Sequence, residues 1–195
     1  MAAPDTMDST KRALDLGLAL AASMILAVPL LLVACLVKLT SRGPALYWSE
    51  RVGRRNRIFK MPKFRSMRLG TPTLATHLLA NPKAHLTPIG GFLRRSSLDE
   101  LPQIWSILRG DMSFVGPRPA LFNQHDLTEL RTQSGIDHLV PGLTGWAQIN
   151  GRDDLPIPDK VALDLEYMQR RSFLFDIKIL TLTFFRVLRR DNVSH

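Results

Sequence analysis

Between Leu16 and Val37 the chain runs for 22 residues without a charged side chain, and no other feature restricts its fold as much. A helix rises ~1.5 Å per residue, so this run reaches about 33 Å, enough to cross a hydrocarbon core of about 30 Å. The flanks argue differently. Lys11 and Arg12 precede the run, while Lys38, Arg42, Arg51, Arg54, Arg55, Arg57, Lys60, Lys63, Arg65 and Arg68 follow it, with Glu50 the one acid among them. Positive flanks favour the cytoplasmic side of a membrane, and here both are positive. A helix that enters, breaks and returns to the same face satisfies both. Pro29 stands where such a break belongs, because it lacks an amide donor and its ring clashes with the carbonyl one turn back. The alternative is a mildly kinked helix that crosses, since surrounding groups can satisfy a carbonyl freed by proline. A cleavable signal peptide would have a shorter apolar core and a small-residue cleavage site, whereas here a basic segment follows directly.

The rest of the chain is long enough for one domain. At 195 residues, 45% hydrophobic and 22% charged, it is too short to expect two independent ones. A formal charge of +9 calls for an anionic partner, which charge alone leaves open among nucleic acid, an anionic membrane face and a phosphorylated substrate. Cys35 is the single cysteine and lies in the apolar run, which excludes a disulfide framework and predicts a small buried hydrophobe.

Ala45 to Arg68 reads as short extended pieces around the basic turn Gly53 to Arg57. Thr71 to His85 reads as a loop with a short helical turn. Ser97 has the position of an N-cap, Glu100 stands three residues on as its capping-box partner, and Leu101, Ile104, Trp105 and Leu108 recur at helical spacing until Gly110 ends the element. Rigid loops follow at Val115 to Pro119 and Pro141 to Trp146, the first leading to a polar helix around Phe122 to Ser134. A helix over Lys160 to Arg170 and a long apolar stretch, Phe173 to Arg190, complete the chain. Asp176, Lys178 and Arg186 make that stretch too charged to span comfortably, so it is either an amphipathic helix in the membrane interface or a buried core helix. The fold class predicted is mainly α with short β segments (α+β).

Asp99 and Glu100 sit in the first turn of a helix, where the dipole and free amides stabilise negative charge. The same amides can hold a phosphate. Capping alone would account for both acids. Arg94 and Arg95 immediately precede them, however, and Arg118 lies between Pro117 and Pro119, whose fixed φ angles reduce the entropy lost in presenting its guanidinium. Together these form a plausible site for a diphosphate with Mg²⁺, the cation cancelling repulsion between carboxylate and phosphate oxygens. There is no Walker A pattern, no Gly-x-Gly-x-x-Gly run, and no metal-ligand spacing among His77, His85, His125, His138 and His195.

Five segments in order carry a resemblance: Lys11-Arg12-x-x-Asp15, Phe59-Lys60-Met61-x-Lys63-Phe64-Arg65-Ser66-Met67, Arg95-Ser96-Ser97-Leu98-Asp99-Glu100-Leu101, Gly110 through Pro119, and Pro141 through Arg152. The chain resembles, over nearly its whole length, the monotopic polyprenyl-phosphate phosphoglycosyl transferases, bacterial sugar transferases that start glycan assembly on undecaprenyl phosphate. The resemblance implies a two-step exchange, in which Asp99 attacks the β-phosphate of a UDP-sugar, releases UMP and carries the sugar phosphate covalently until polyprenyl phosphate accepts it. It implies Mg²⁺ at Asp99, assistance from Glu100, phosphate contact by Arg95, a nucleotide held by Arg118 between Pro117 and Pro119, and Arg152 as a weaker candidate for the same pocket. It also implies a monotopic protein at the cytoplasmic face of the bacterial inner membrane, with lipids as partners and no nucleic acid. Residues 1–42 would form a re-entrant helical hairpin broken at Pro29. Residues 43–195 would form a catalytic domain with interfacial amphipathic helices, the two making one functional unit of the minimal catalytic form.

Two departures stand out. The family's Ser-Pro at the hairpin break is Val28-Pro29 here, so no serine hydroxyl is available there to satisfy freed carbonyls. Its Phe-Glu-Leu-Asp pattern reads Val161-Ala162-Leu163-Asp164, so no role for that glutamate carries over. The rival class, a membrane-tethered basic protein that binds nucleic acid or anionic lipid, explains the charge but not the acidic pair or the Pro-Arg-Pro loop.

Overall fold

The computed structural model describes residues 6–72, 81–151 and 155–189. It is mainly helical with two small sheets, as expected. The apolar run lies in one helix, α1 (Thr6–Thr40), with Pro29 inside it. The two arms expected on either side of Val28 and Pro29 are thus parts of a single helical element, and the residue marking the expected break is a helical residue.

Packing of α1 is one-sided along its length. Ala19, Ala22 and Leu26 meet Met61, Ile104, Ile107 and Met112, and further along Leu30, Val33 and Val37 meet Phe64 and Leu93. These positions recur every three or four residues, the spacing of one helical face. The opposite face leaves Leu20, Met24, Ile25, Val28, Leu31, Leu32 and Leu39 exposed, and it holds Cys35 as well. Cys35 is therefore not the buried hydrophobe expected, because its position on α1 points away from the rest of the protein.

Both ends of α1 are tied to the body of the molecule. At its start, Lys11 pairs with Asp176, Arg12 donates to the carbonyls of Ile107 and Leu108 at 2.6 and 2.7 Å, and Asp15 accepts from the Phe114 amide at 3.0 Å. Arg12 thereby satisfies last-turn carbonyls of another helix. At its end, buried Arg65 donates to the carbonyls of Ser41, Arg42 and Pro44.

After α1 come the antiparallel strands β1 (Leu46–Val52) and β2 (Ile58–Phe64), paired from Leu46↔Phe64 to Val52↔Ile58. Their tight turn places Arg55 and Asn56 at φ of 54° and 58°. A short helical turn, Pro82–His85, lies in the expected loop region, and α2 (Gly90–Arg95) follows. A 3-10 turn, Leu98–Gln103, then leads into α3 (Ile104–Arg109), closed by Gly110 at φ 90°. Here the expected capping box does not form. Ser97 adopts a left-handed conformation with φ 56°, its side chain makes no cap bond, and Glu100 bonds elsewhere. Pro102 within this turn lacks the amide that regular α hydrogen bonding would use.

Strands β3 (Ser113–Val115) and β4 (Gly142–Thr144) pair in parallel, Ser113 with Gly142 and Val115 with Thr144. This ladder sets the two rigid loops backbone against backbone. A Cβ on Gly142 would lie 2.1 Å from the Gly116 nitrogen, and one on Gly145 would lie 2.1 Å from the Gly116 oxygen, so only glycine permits the approach. The remaining helices are α4 (His125–Gln133), α5 (Trp146–Asn150), α6 (Ile157–Arg170) and α7 (Phe173–Arg189). On α7, Phe175 and Ile179 pack with Val115, Ile149 and Tyr167, while Leu174, Phe184, Phe185 and Val187 are exposed. It combines the two readings of its sequence, one face in the core and an apolar face outside.

Candidate active site

The 3-10 turn carrying Asp99 and Glu100 lies across β2, and that contact selects their partners. Along β2, Met61 and Lys63 alternate onto the same face, the one that carries buried Met61. Lys63 Nζ therefore reaches Glu100 Oε1 at 2.7 Å. From the loop after β3, Arg118 Nη2 reaches the same oxygen at 3.2 Å. Both cations are only partly accessible, so the contacts are charge-assisted hydrogen bonds in a poorly solvated setting.

Asp99 differs from its neighbour. Its side chain is buried, at 8% exposure, and has no hydrogen-bond partner among the described residues. Loss of solvent pushes its carboxyl up to about 6 against the pull of Lys63, while the negative charge of Glu100 adds to the rise and Arg94 and Arg118 oppose it. Burial works on Glu100 too, but Lys63 and then Arg118, by charge and by hydrogen bond, overcome it and hold Glu100 well below the usual carboxylate range. Burial lowers Lys63 from its ordinary value, and its pairing with Glu100 only partly offsets this. Two adjacent acids thus have opposite characters, one a tied anion and the other desolvated and without a hydrogen-bond partner among the described residues.

The structure brings Asp99, Glu100 and Arg118 together, with buried Pro117 and Pro119 flanking the arginine. Arg94, whose Nε donates to Ser66 Oγ at 3.2 Å, is among the charges acting on Asp99. Arg95 is exposed, its guanidinium folded over Gly91 of its own helix. Arg152 lies outside the described residues. The charged residue beside the acidic pair that sequence reasoning passed over is Lys63. A signal was available, because a lysine two positions from Met61 in a strand shares the core-facing side.

The donor set suits Mg²⁺, which is usually held by one or two carboxylates together with substrate phosphates rather than by a full protein cage. Among the described residues, Asp99 offers a carboxylate with no hydrogen-bond partner, and no group of three or more His, Cys, Asp or Glu side chains is placed to hold a metal ion.

Comparison with known proteins adds the following. Residues 6–190 match the model of a family described as bacterial sugar transferase. An undecaprenyl-phosphate glucose phosphotransferase of Komagataeibacter xylinus is 42% identical over 93% of this chain and 36% of its own length. An undecaprenyl-phosphate galactose phosphotransferase of Salmonella typhimurium is 37% identical over 86% of this chain and 38% of its own. The exopolysaccharide production protein ExoY of Sinorhizobium fredii is 37% identical over 87% of this chain and 81% of its own. The chain therefore spans well under half the length of the first two relatives and most of the third.

Proposed function

The chain belongs to the bacterial sugar transferase family, and on that premise we propose that it moves a sugar 1-phosphate from a UDP-sugar to undecaprenyl phosphate through a covalent aspartyl intermediate, releasing UMP. The observation that carries this reading is the contrast within the acidic pair. Asp99 is buried with no hydrogen-bond partner among the described residues, while Glu100 is held by Lys63 and Arg118.

A nucleophile needs lone pairs open to the substrate; Asp99 has no hydrogen-bond partner among the described residues, whereas Glu100 Oε1 already accepts from Lys63 and Arg118. An oxygen of Asp99 attacks the sugar-bearing phosphorus, and the bond from that phosphorus to the bridging oxygen breaks, that oxygen leaving on UMP. An oxygen of undecaprenyl phosphate then attacks the same phosphorus, and the Asp99 carboxylate departs with its electron pair. Lys63 and Arg118 hold Glu100 ionised and place positive charge beside phosphate oxygens, where charge accumulates in the transition state. Arg94 extends that positive field toward Asp99. Bound at Asp99, Mg²⁺ would supply charge neutralisation between carboxylate and diphosphate. It would also counter the desolvation that raises the acid's pKa.

The same reading places the protein in the cytoplasmic leaflet without crossing it. Three observations support this: the charge on both flanks of α1, the contacts that hold α1 to the body from Lys11 to Val37, and the apolar outer face of α1 together with that of α7. A helix that crossed a bilayer away from the body would meet it at one end only. Bending at Pro29, the hairpin form of this topology, would bring both arms back to one face.

The test is purified protein with Mg²⁺, undecaprenyl phosphate and a panel of UDP-sugars that includes UDP-glucose and UDP-galactose, reading UMP. Sugar-dependent UMP release is the expected result. No release with any donor, together with tight binding of nucleic acid, would instead favour the basic binding protein.

A further inference from the structure

The triplet Pro117-Arg118-Pro119 has three carbonyls and a single amide N–H, so its conformation depends on who donates to those carbonyls. All three are taken. Gly142 N donates to Pro117 O at 2.9 Å, Arg131 Nη1 to Arg118 O at 2.8 Å, and Arg51 Nη1 to Pro119 O at 3.1 Å. Of the donors, Arg131 has the most elaborate support. Its Nε and Nη2 both bind Asp164 Oδ2, at 3.0 and 2.6 Å, and Asp164 on α6 is buried at 1% exposure. The third nitrogen of the same guanidinium holds the backbone of the residue whose side chain meets Glu100.

Stability gives no strong reason for this pair. Replacing a buried ion pair by apolar residues of similar volume is often neutral or stabilising, because desolvation offsets the attraction. Its geometry has a more particular consequence. Pro117 and Pro119 have fixed φ, so the triplet's remaining freedom lies in its ψ angles and in φ of Arg118, and Arg131 holds the Arg118–Pro119 peptide plane. Because Arg118 is long, a small rotation at its backbone becomes a large displacement of its guanidinium, and a shift of about 1 Å in a positioning group can cost on the order of a hundredfold in rate.

We propose that Arg131 and Asp164 are positioning residues that aim Arg118 at the phosphate of the nucleotide sugar. This rests on the reading of the site given above. It also assigns a task to Asp164, the last residue of the Val161-Ala162-Leu163-Asp164 segment.

The test uses the full chain with undecaprenyl phosphate in excess and UDP-glucose or UDP-galactose, whichever is turned over, as the probe. Arg131→Lys, Asp164→Asn and the double replacement R131M/D164L, which leaves no unpaired buried charge, are compared with Arg118→Ala. Expected is a rise of about tenfold in KM for the UDP-sugar in each, the size of one charged hydrogen bond, with KM for undecaprenyl phosphate unchanged. Adding Arg131→Lys to Arg118→Ala should raise KM no further. A purely structural role would lower kcat through loss of folded enzyme and leave KM alone. Unchanged KM in the folded pair variants, with KM raised in Arg118→Ala, would overturn the inference. Unchanged KM in Arg118→Ala would instead remove the role of Arg118 itself, and the inference with it.

Discussion

Lys63 Nζ lies 2.7 Å from Glu100 Oε1, and this contact divides an acidic pair into a fixed anion and a free carboxylate. Without it, Glu100 would keep Arg118 alone as its described partner. With it, Glu100 has its partners and Asp99 is left without one among the described residues.

Replacing Asp99 by Asn should abolish turnover and the covalent sugar-phosphate adduct, and it should also stabilise the protein. With the carboxyl raised from 3.8 to about 6, the folded state binds more protons than the unfolded state between those values. Stability is therefore fully present below the unfolded value and falls as pH rises through the folded one, by about 3 kcal/mol for a shift of this size. Asn lacks the titration. In metal-free buffer the variant should gain on the wild type progressively from pH 4 to above pH 6, as read by thermal unfolding in detergent. Equal stability of the two proteins at every pH would contradict the desolvated carboxylate, and intact mass lacking an adduct in the wild type would contradict the nucleophile.

Lys63→Met removes one of the two donors to Glu100 and a cation near Asp99. Leaving a partly buried carboxylate with Arg118 alone should cost about 2 kcal/mol of stability, the range for a hydrogen bond to a charged group. Turnover should fall by on the order of a hundredfold, as for loss of one preorganised electrostatic group. Wild-type kcat in a folded Lys63→Met protein would show that Glu100 needs no such support.

Cysteines placed in a Cys35→Ser background at Asp5 and at exposed Lys83 report topology. If both flanks of α1 lie on the cytoplasmic face, an impermeant thiol reagent added to intact spheroplasts should label neither, and should label both after lysis. Labelling of the Asp5 position alone before lysis would mean that α1 crosses.

Gly142→Ala should be costly, since the new methyl would meet the Gly116 nitrogen at 2.1 Å and the Thr144 oxygen at 2.5 Å. Overpacking of this kind costs about 1–3 kcal/mol. The strain falls on the loop that presents Arg118, so activity should drop with stability. Gly17→Ala, where nothing lies within 4 Å of the added atom, is the matched control and should be neutral or slightly stabilising in the same unfolding assay.

What the amino-acid order determined by itself depends on near neighbours. The uncharged run of α1, the strand–turn–strand of Ala45 to Arg68, the helix stopped by Gly110, and the rigidity conferred on Arg118 by two prolines follow from periodicity, charge and backbone chemistry within a few residues. The capping box was equally local and did not form, because Pro102 and the partners of Glu100 outcompeted it. Tertiary structure alone decided which acid is free. Glu100 meets Lys63 across 37 positions of chain and Arg131 meets Asp164 across 33, distances over which no sequence period operates. It likewise decided that Arg94 acts on Asp99 while Arg95 turns outward. Burial raises the carboxyl of Asp99, and burial is a property of the packed whole rather than of any segment.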